Sequence, residues 1–300
     1  MIIGTRGSAL ALWQANHVKA RLAAVGVDAE LLVIKTKGDK ILDVPLAQVG
    51  GKGLFVKEIE EALADRRIDL AVHSMKDVPA ELHPGLVLAA VSAREDPHDV
   101  LVGRRLDDLP PGARVGTSSV RRVCQLRALR PDLTIVPLRG NVDTRLRKLD
   151  DGQVDAIVLA AAGLRRLGHA DRIAETLDPA RCLPAIGQGL LALETRADDT
   201  ATIDAARRAL HDPDAAAAAD AERAFLVRLG GGCQTPMACH ARPAGDRIAV
   251  AGLVGDVSGG EILRDRIDGA RADAAALGRA LAETLLARGA DRLLALADGR

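Results

Sequence analysis

The stretch Ile68-Asp69-Leu70-Ala71-Val72-His73-Ser74-Met75-Lys76-Asp77-Val78-Pro79 reads as an apolar strand that stops in a polar turn. Residues 68–73 are mostly Ile, Leu, Ala and Val, the pattern of a strand covered on both faces. The adjacent charges of Lys76 and Asp77 follow it, and Pro79 closes the turn. Upstream, Met1 to Arg6 is a short apolar run, and Ser8 to about Ala24 is helical, with Leu10, Trp13, His17, Val18 and Leu22 near one side. Glu30 to Lys35 reads as a strand. Leu54 to Arg66 reads as a helix with Phe55, Ile59, Ala62 and Leu63 on one face, and Leu86 to Ser92 as a second buried strand. This alternation predicts a largely parallel sheet covered by helices.

The pattern restarts after Pro97 and Pro110-Pro111-Gly112. Strands are expected at Arg114–Gly116, Leu133–Leu138 and Asp155–Leu159, with helices from Ser118 to about Leu129 and from Val142 to Leu149. The second unit matches the first in size and order without a residue-level repeat. From about Pro213 the pattern changes to a long Ala-rich helix, Asp214 to Leu229. Strands follow near Met237–Ala241, Ile248–Val254 and Glu261–Arg266, then a helix at Ala272–Arg288, a small α+β domain. The strand-like Leu190-Leu191-Ala192-Leu193-Glu194 is placed to return to the first sheet. Such a crossing makes two lobes with a cleft between them, the usual place for a ligand.

Composition narrows the function. The 300 residues carry 41 basic and 41 acidic side chains, so the general electrostatic case for nucleic-acid binding is missing. With Trp13, Phe55 and Phe225 as the only aromatics, no row of rings exists on which bases would stack. No apolar run is long enough for a membrane span. The start, Met1-Ile2-Ile3-Gly4-Thr5-Arg6, lacks the features of a signal peptide, so a cytoplasmic chain is expected. Cys124, Cys182, Cys233 and Cys239 form neither a zinc-ligand pattern nor a disulfide framework, and no metal site is expected.

Four stretches carry candidate chemistry. Val115 to Lys148 holds Arg121, Arg122, Arg127, Arg130, Arg139, Arg145, Arg147 and Lys148 against Asp132 and Asp143. Gly116-Thr117-Ser118-Ser119 leads from a strand end into the helix bearing Arg121 and Arg122, and Arg139-Gly140-Asn141 follows the next strand. Free N–H groups, hydroxyls and guanidiniums at strand ends suit carboxylate or phosphate; a solvated helix face is the competing reading. Lys76 beside Asp77 offers an anion binder next to a carboxylate able to stabilise a developing cation, against the plainer reading of a polar loop. Gly50-Gly51-Lys52-Gly53 lacks the spacing and Ser/Thr of a phosphate loop, leaving Lys52 as a candidate ligand contact on a linking loop. Gly230-Gly231-Gly232-Cys233-Gln234 places a thiol on a glycine loop after a helix, either as a nucleophile or as an incidental residue at a helix end. His73 and Cys239, in apolar contexts, read as structural.

The set as a whole resembles the porphobilinogen deaminase (hydroxymethylbilane synthase) family. The resemblance rests on Thr5-Arg6-Gly7-Ser8-Ala9-Leu10-Ala11-Leu12-Trp13-Gln14, Val49-Gly50-Gly51-Lys52-Gly53-Leu54-Phe55, Ala71 to Pro79, Val115 to Arg122, Leu138-Arg139-Gly140-Asn141, Pro184-Ala185-Ile186-Gly187-Gln188-Gly189 and Gly231-Gly232-Cys233-Gln234, in order along nearly the whole chain. It implies an α/β fold with two lobes like those of periplasmic binding proteins plus a small C-terminal α+β domain. The expected boundaries are 1–98 plus 190–211, 99–189 and 212–300. It further implies a transferase of haem (tetrapyrrole) biosynthesis that joins four porphobilinogen molecules head to tail, loses ammonia at each addition and releases linear hydroxymethylbilane with water. The growing chain is carried on a dipyrromethane attached through Cys233.

In that resemblance Asp77 is the catalytic carboxylate, facing the cation left by ammonia loss. Arg6, Ser8, Lys52, Lys76, Thr117, Ser118, Ser119, Arg121, Arg122, Arg139, Gly140, Arg145, Arg166 and Gln188 are implied to bind cofactor or substrate, whose rings each bear two carboxylates. A cytoplasmic monomer is implied, with no nucleic-acid or membrane partner. Gly7, Ala9, Gln48 and Gly230 depart from residues common in the family. The rival from another class is a two-lobed binding protein for a carboxylate-bearing small molecule, which leaves Cys233 and the third domain without a purpose. A Cys-dependent hydrolase would need a His base near Cys233.

Overall fold

The computed structural model describes residues 1–40, 56–232 and 235–297. Lobe 1 contains β1 (Ile2–Thr5), α1 (Ala9–Ala23), β2 (Glu30–Val33), α2 (Lys57–Ala64), β3 (Leu70–Ser74) and β4 (Leu86–Val91). Leu54 and Phe55, expected to open α2, lie outside the described residues. Lobe 2 contains β5 (Asp99–Val102), β6 (Arg114–Gly116), α3 (Val120–Leu129), β7 (Thr134–Val136), α4 (Val142–Asp150), β8 (Ala156–Ala160), α5 (Ala161–Arg166) and β9 (Ile173–Thr176). The chain then returns to lobe 1 as β10 (Leu191–Arg196), followed by α6 (Thr200–Leu210).

The sheets run β2-β1-β3-β10-β4 and β7-β6-β8-β5-β9, the same arrangement twice. Each is largely parallel, with four strands running one way and a single strand running against them. β10 runs antiparallel to β3 and β4, and β5 antiparallel to β8 and β9. The reason lies in how the chain crosses between lobes. Each crossing segment enters its sheet at the edge where the neighbouring strand ends: Leu191 faces Ser74, and Asp99 faces Ala160. A strand that arrives at that edge without a crossover helix runs back the other way.

Packing explains the apolar strands. On one face of the first sheet, Ala15, Val18 and Leu22 of α1 and Ala205, Ala206 and Ala209 of α6 cover Leu70, Val72, Leu191 and Leu193. On the other, Ile59, Ala62 and Leu63 of α2 cover Ile68 and Ala71. Ser8 caps α1 by accepting the Ala11 N–H at 3.3 Å, and Asn141 caps α4 by accepting that of Thr144 at 2.8 Å.

The third domain consists of α7 (Pro213–Leu229), the antiparallel sheet β11 (Met237–Ala244), β12 (Arg247–Gly255) and β13 (Ile262–Ala270), then α8 (Ala274–Ala287) and α9 (Ala290–Ala297). Asp212 caps α7, Pro213 takes its first turn, and Gly230 ends it in the left-handed conformation at φ 66°. Phe225 is the largest side chain of its core, buried among Val250, Leu281 and Leu285. Gly252 makes room for it, since a Cβ there would lie 2.8 Å from Phe225 Cε2. Among the described residues no helix is long and apolar enough to cross a membrane.

Candidate functional site

Strand direction brings the singled-out residues to one edge of each sheet. β1 is parallel to β3, so Arg6 and Ser8 emerge beside Lys76 and Asp77. β6 is parallel to both β7 and β8, so Thr117 to Arg122, Arg139 to Arg145 and Arg166 emerge together in lobe 2. The crossing segments pass at these same edges, and the carboxyl ends of the strands in both lobes face the interlobe region.

Charges from the two lobes act on one another there. Lys76 lies in lobe 1, in a 3-10 turn, Met75–Asp77. Burial lowers its pKa to about 8, with Asp77 opposing the shift and Arg122 of lobe 2 adding to it. Arg145 is lowered to about 10, chiefly by burial and then by repulsion from Arg122, with Asp77 opposing and Arg139 adding. Its Nε donates to the Gly140 carbonyl at 2.8 Å. Gly140, at φ 115°, supplies a backbone conformation that side-chain-bearing residues rarely adopt, and a Cβ there would lie 2.7 Å from Thr144 Cγ2. Cations from both lobes are therefore crowded and partly desolvated around the Asp77 carboxylate.

Behind them sits a fully buried ion pair. Asp99 Oδ2 accepts from Arg121 Nη1 at 2.6 Å and Oδ1 from Arg122 Nη2 at 2.7 Å. Arg121 also donates to the Leu183 carbonyl, and Arg122 to that of Val158. Burial alone would raise the Asp99 pKa, but the two guanidiniums outweigh it and hold the carboxyl well below the usual range. Gln188 Nε2 joins the cluster, donating to Asp99 at 3.0 Å and to the Pro97 carbonyl at 2.6 Å, while its Oε1 is buried with no hydrogen-bond partner among the described residues. Arg121 and Arg122 are thus tied to a carboxylate of their own lobe.

The remaining positions vary. Ser118 Oγ donates to the Leu138 carbonyl, and Thr117 Oγ1 accepts the Ser119 N–H. Arg166 Nη2 donates to the Gly189 carbonyl at 2.8 Å, and its guanidinium stands 5.7 Å from the Trp13 ring centre, joining lobe 2 to lobe 1. Lys52, Gln48 and Cys233 lie outside the described residues. The flanks of Cys233 are tethered to each other: the Gly232 N–H meets Thr235 Oγ1 at 3.1 Å, and the Thr235 N–H meets the Gly232 carbonyl at 3.0 Å. Cys124, Cys182 and Cys239 are buried and free. His73 is buried against Glu194 at 3.0 Å.

Two organising residues escape a reading of local sequence. Asp99 is one. The other is Glu222 of α7, fully buried, which accepts from Arg94 at 2.8 Å, the Gly187 N–H at 2.6 Å and the Ala241 N–H at 2.8 Å. It ties both crossing segments to the third domain. A long Ala-rich helix gives no hint of such a role.

Fold and site together define a two-lobed α/β protein whose interlobe edge concentrates cations from both lobes. Residues 1–204 match the family model described as "Porphobilinogen deaminase, dipyromethane cofactor binding domain", and residues 216–287 match "Porphobilinogen deaminase, C-terminal domain". The chain is 58% identical over 301 residues to the porphobilinogen deaminase of Syntrophotalea carbinolica, covering 99% of this chain and 95% of that one. It is 55% identical to that of Trichlorobacter lovleyi, over 97% of this chain and 95% of the relative. Similar solved structures include immunogenic lipoprotein A from Vibrio vulnificus, at 13% identity and TM-score 0.42 over 69% of this chain and 94% of that one. The chain belongs to the porphobilinogen deaminase family of transferases, whose first domain model is that of a dipyrromethane-binding domain.

Proposed function

We propose that this chain condenses four porphobilinogen molecules head to tail, with loss of ammonia, and releases linear hydroxymethylbilane by hydrolysis. The observation that carries the reading is the crowding of Lys76, Arg122 and Arg145, with Asp77 acting on Lys76 and Arg145 and both of those shifted downward. Cations that repel one another in a partly dry site gain from carboxylates placed between them. The acetate and propionate arms of pyrrole rings supply such groups, so the residues present fit a dipyrromethane. That group, carried as a thioether on Cys233, would supply the free pyrrole carbon that takes the first unit, and each later unit would join the ring added before it.

The chain's own residues do the rest. Asp77 accepts the pyrrole N–H of the incoming unit and stabilises the positive charge left when ammonia departs, a fixed group worth roughly 10²–10³ in rate. Lys76 and Arg145 hold carboxylate arms from opposite lobes. Arg122, fixed by Asp99, adds positive potential without leaving its place, and Arg121 keeps that carboxylate rigid. Arg6, Ser8, Lys52, Thr117, Ser118, Ser119, Arg139, Gly140, Arg166 and Gln188 complete the binding surface in this reading. The lobes are taken as 1–98 plus 190–211 and 99–189, with 212–300 carrying the Cys233 loop. In this reading the chain works as a monomer in the cytoplasm.

The test is stoichiometry. Purified protein given porphobilinogen is expected to release four ammonia molecules per linear tetrapyrrole, and Asp77→Ala to slow both products together by at least about 100-fold. Binding of porphobilinogen without ammonia release would favour the two-lobed binding protein instead.

A further inference from the structure

The turn that carries Asp77 is too short to fix its own geometry, and part of its support comes from the third domain. Upstream, the Met75 N–H donates to the Leu190 carbonyl at 3.0 Å. Downstream, Nη2 of Arg223 on α7 donates to the carbonyls of Pro79 and Ala80, each at 3.1 Å. Ala80 packs on the core of the third domain, while Met75, Val78 and Leu82 pack on Ala215, Ala216 and Ala219 of α7. Ala215, Ala219 and Arg223 recur every four residues and form one stripe of the helix. The alanines keep that stripe low, so the backbone beyond Asp77 comes within reach of the guanidinium.

The neighbouring Glu222 holds the other side, through the Gly187 N–H, and Gly187 lies directly against Met75 and the Lys76 amide. Two consecutive side chains of α7 therefore brace both sides of the Asp77 turn. Arg223 makes no carboxylate ion pair among the described residues, and its guanidinium is committed to these two backbone carbonyls. Burial disfavours its charge, with Glu194 and Asp220 opposing that shift. A residue needed only to dock the domain would not require a charge directed at the backbone two and three positions past Asp77.

We propose that Arg223 is a positioning residue of the reaction, fixing the Pro79–Ala80 backbone and thereby the Asp77 carboxylate without touching substrate. This rests on the reading of Asp77 as the catalytic carboxylate. The test is Arg223→Met and Arg223→Lys in the full chain, with steady-state kinetics and amide exchange measured together. Arg223→Met is expected to lower kcat about tenfold with KM within about twofold, since small misplacements of a reacting group are costly. Exchange should accelerate in residues 77–82 and stay at the wild-type rate elsewhere in α7 and the third-domain sheet. Arg223→Lys, able to reach one carbonyl, should recover part of the rate. A kcat within twofold of wild type, or faster exchange throughout the third domain, would overturn the proposal. Asp77→Ala, assayed in parallel, separates the two ideas: normal turnover there would remove the catalytic assignment of Asp77, whatever the exchange data say about Arg223.

Discussion

Replacing Asp99 with Asn tests the buried frame on which the lobe 2 cations rest. Four N–H···O contacts of 2.6 to 3.2 Å reach its two oxygens from Arg121 and Arg122, and Gln188 adds a fifth at 3.0 Å. Asn keeps one oxygen, presents N–H groups toward guanidiniums, and removes the charge that allows two buried cations to stay. Breaking one side of a buried pair costs about 3–5 kcal/mol. At about 1.4 kcal/mol per decade, that is roughly 10²–10⁴ faster opening of the region. The expected readout is amide exchange in β5 and β8, whose ladder begins at Asp99. The pH dependence follows from the depressed pKa. The stabilisation is fully present above the unfolded value of about 3.9 and is lost as pH falls toward the folded value. The deficit of the variant should therefore be constant from about pH 5 to 8 and narrow only below about pH 4. Exchange within tenfold of wild type at pH 7, or a deficit that widens on acidification, would refute the reasoning.

Lys76, with its pKa lowered to about 8, loses charge as pH rises through that value, so KM for porphobilinogen should climb between about pH 7 and 9. Lys76→Arg should flatten the climb, and a pH-independent KM in the wild type would reject the assignment. Gly187→Ala combines a positive φ of 71° with overlap of the new Cβ and Met75, so it is expected to lower stability by at least about 1–2 kcal/mol. Thermal unfolding checks this; an unchanged midpoint would show that the turn relaxes freely.

Much of the fold is legible because its strands are covered on both faces and its helices carry one apolar stripe. Leu70 to His73, Leu86 to Val91 and Ile157 to Leu159 show this directly. The direction of β5 and β10 is not legible, because no local pattern records which edge of a sheet a crossing segment enters. The short β9 and α5 leave too little periodicity to stand out. In the site, strand-end placement puts Lys76 and Asp77 at the same edge as the Arg-bearing loops, where Arg122 acts on Lys76 and Asp77 on Arg145. A count of charges within Val115–Lys148 nonetheless treats Arg121 and Arg122 as if their counterion had to be nearby in sequence. Asp99, from a strand that precedes them in the chain, supplies it. Glu222 and Arg223 show the same limitation: a helix that reads as an Ala-rich packing element turns two adjacent charged residues toward a crossing segment and the Asp77 turn.

The most direct measurement is the intact mass of the freshly purified chain beside that of Cys233→Ser. The account predicts a wild-type mass exceeding the calculated chain by one dipyrromethane, and a bare-chain mass for the variant. A wild-type protein active on porphobilinogen yet showing only the bare-chain mass, or a variant that keeps the added mass, would contradict it.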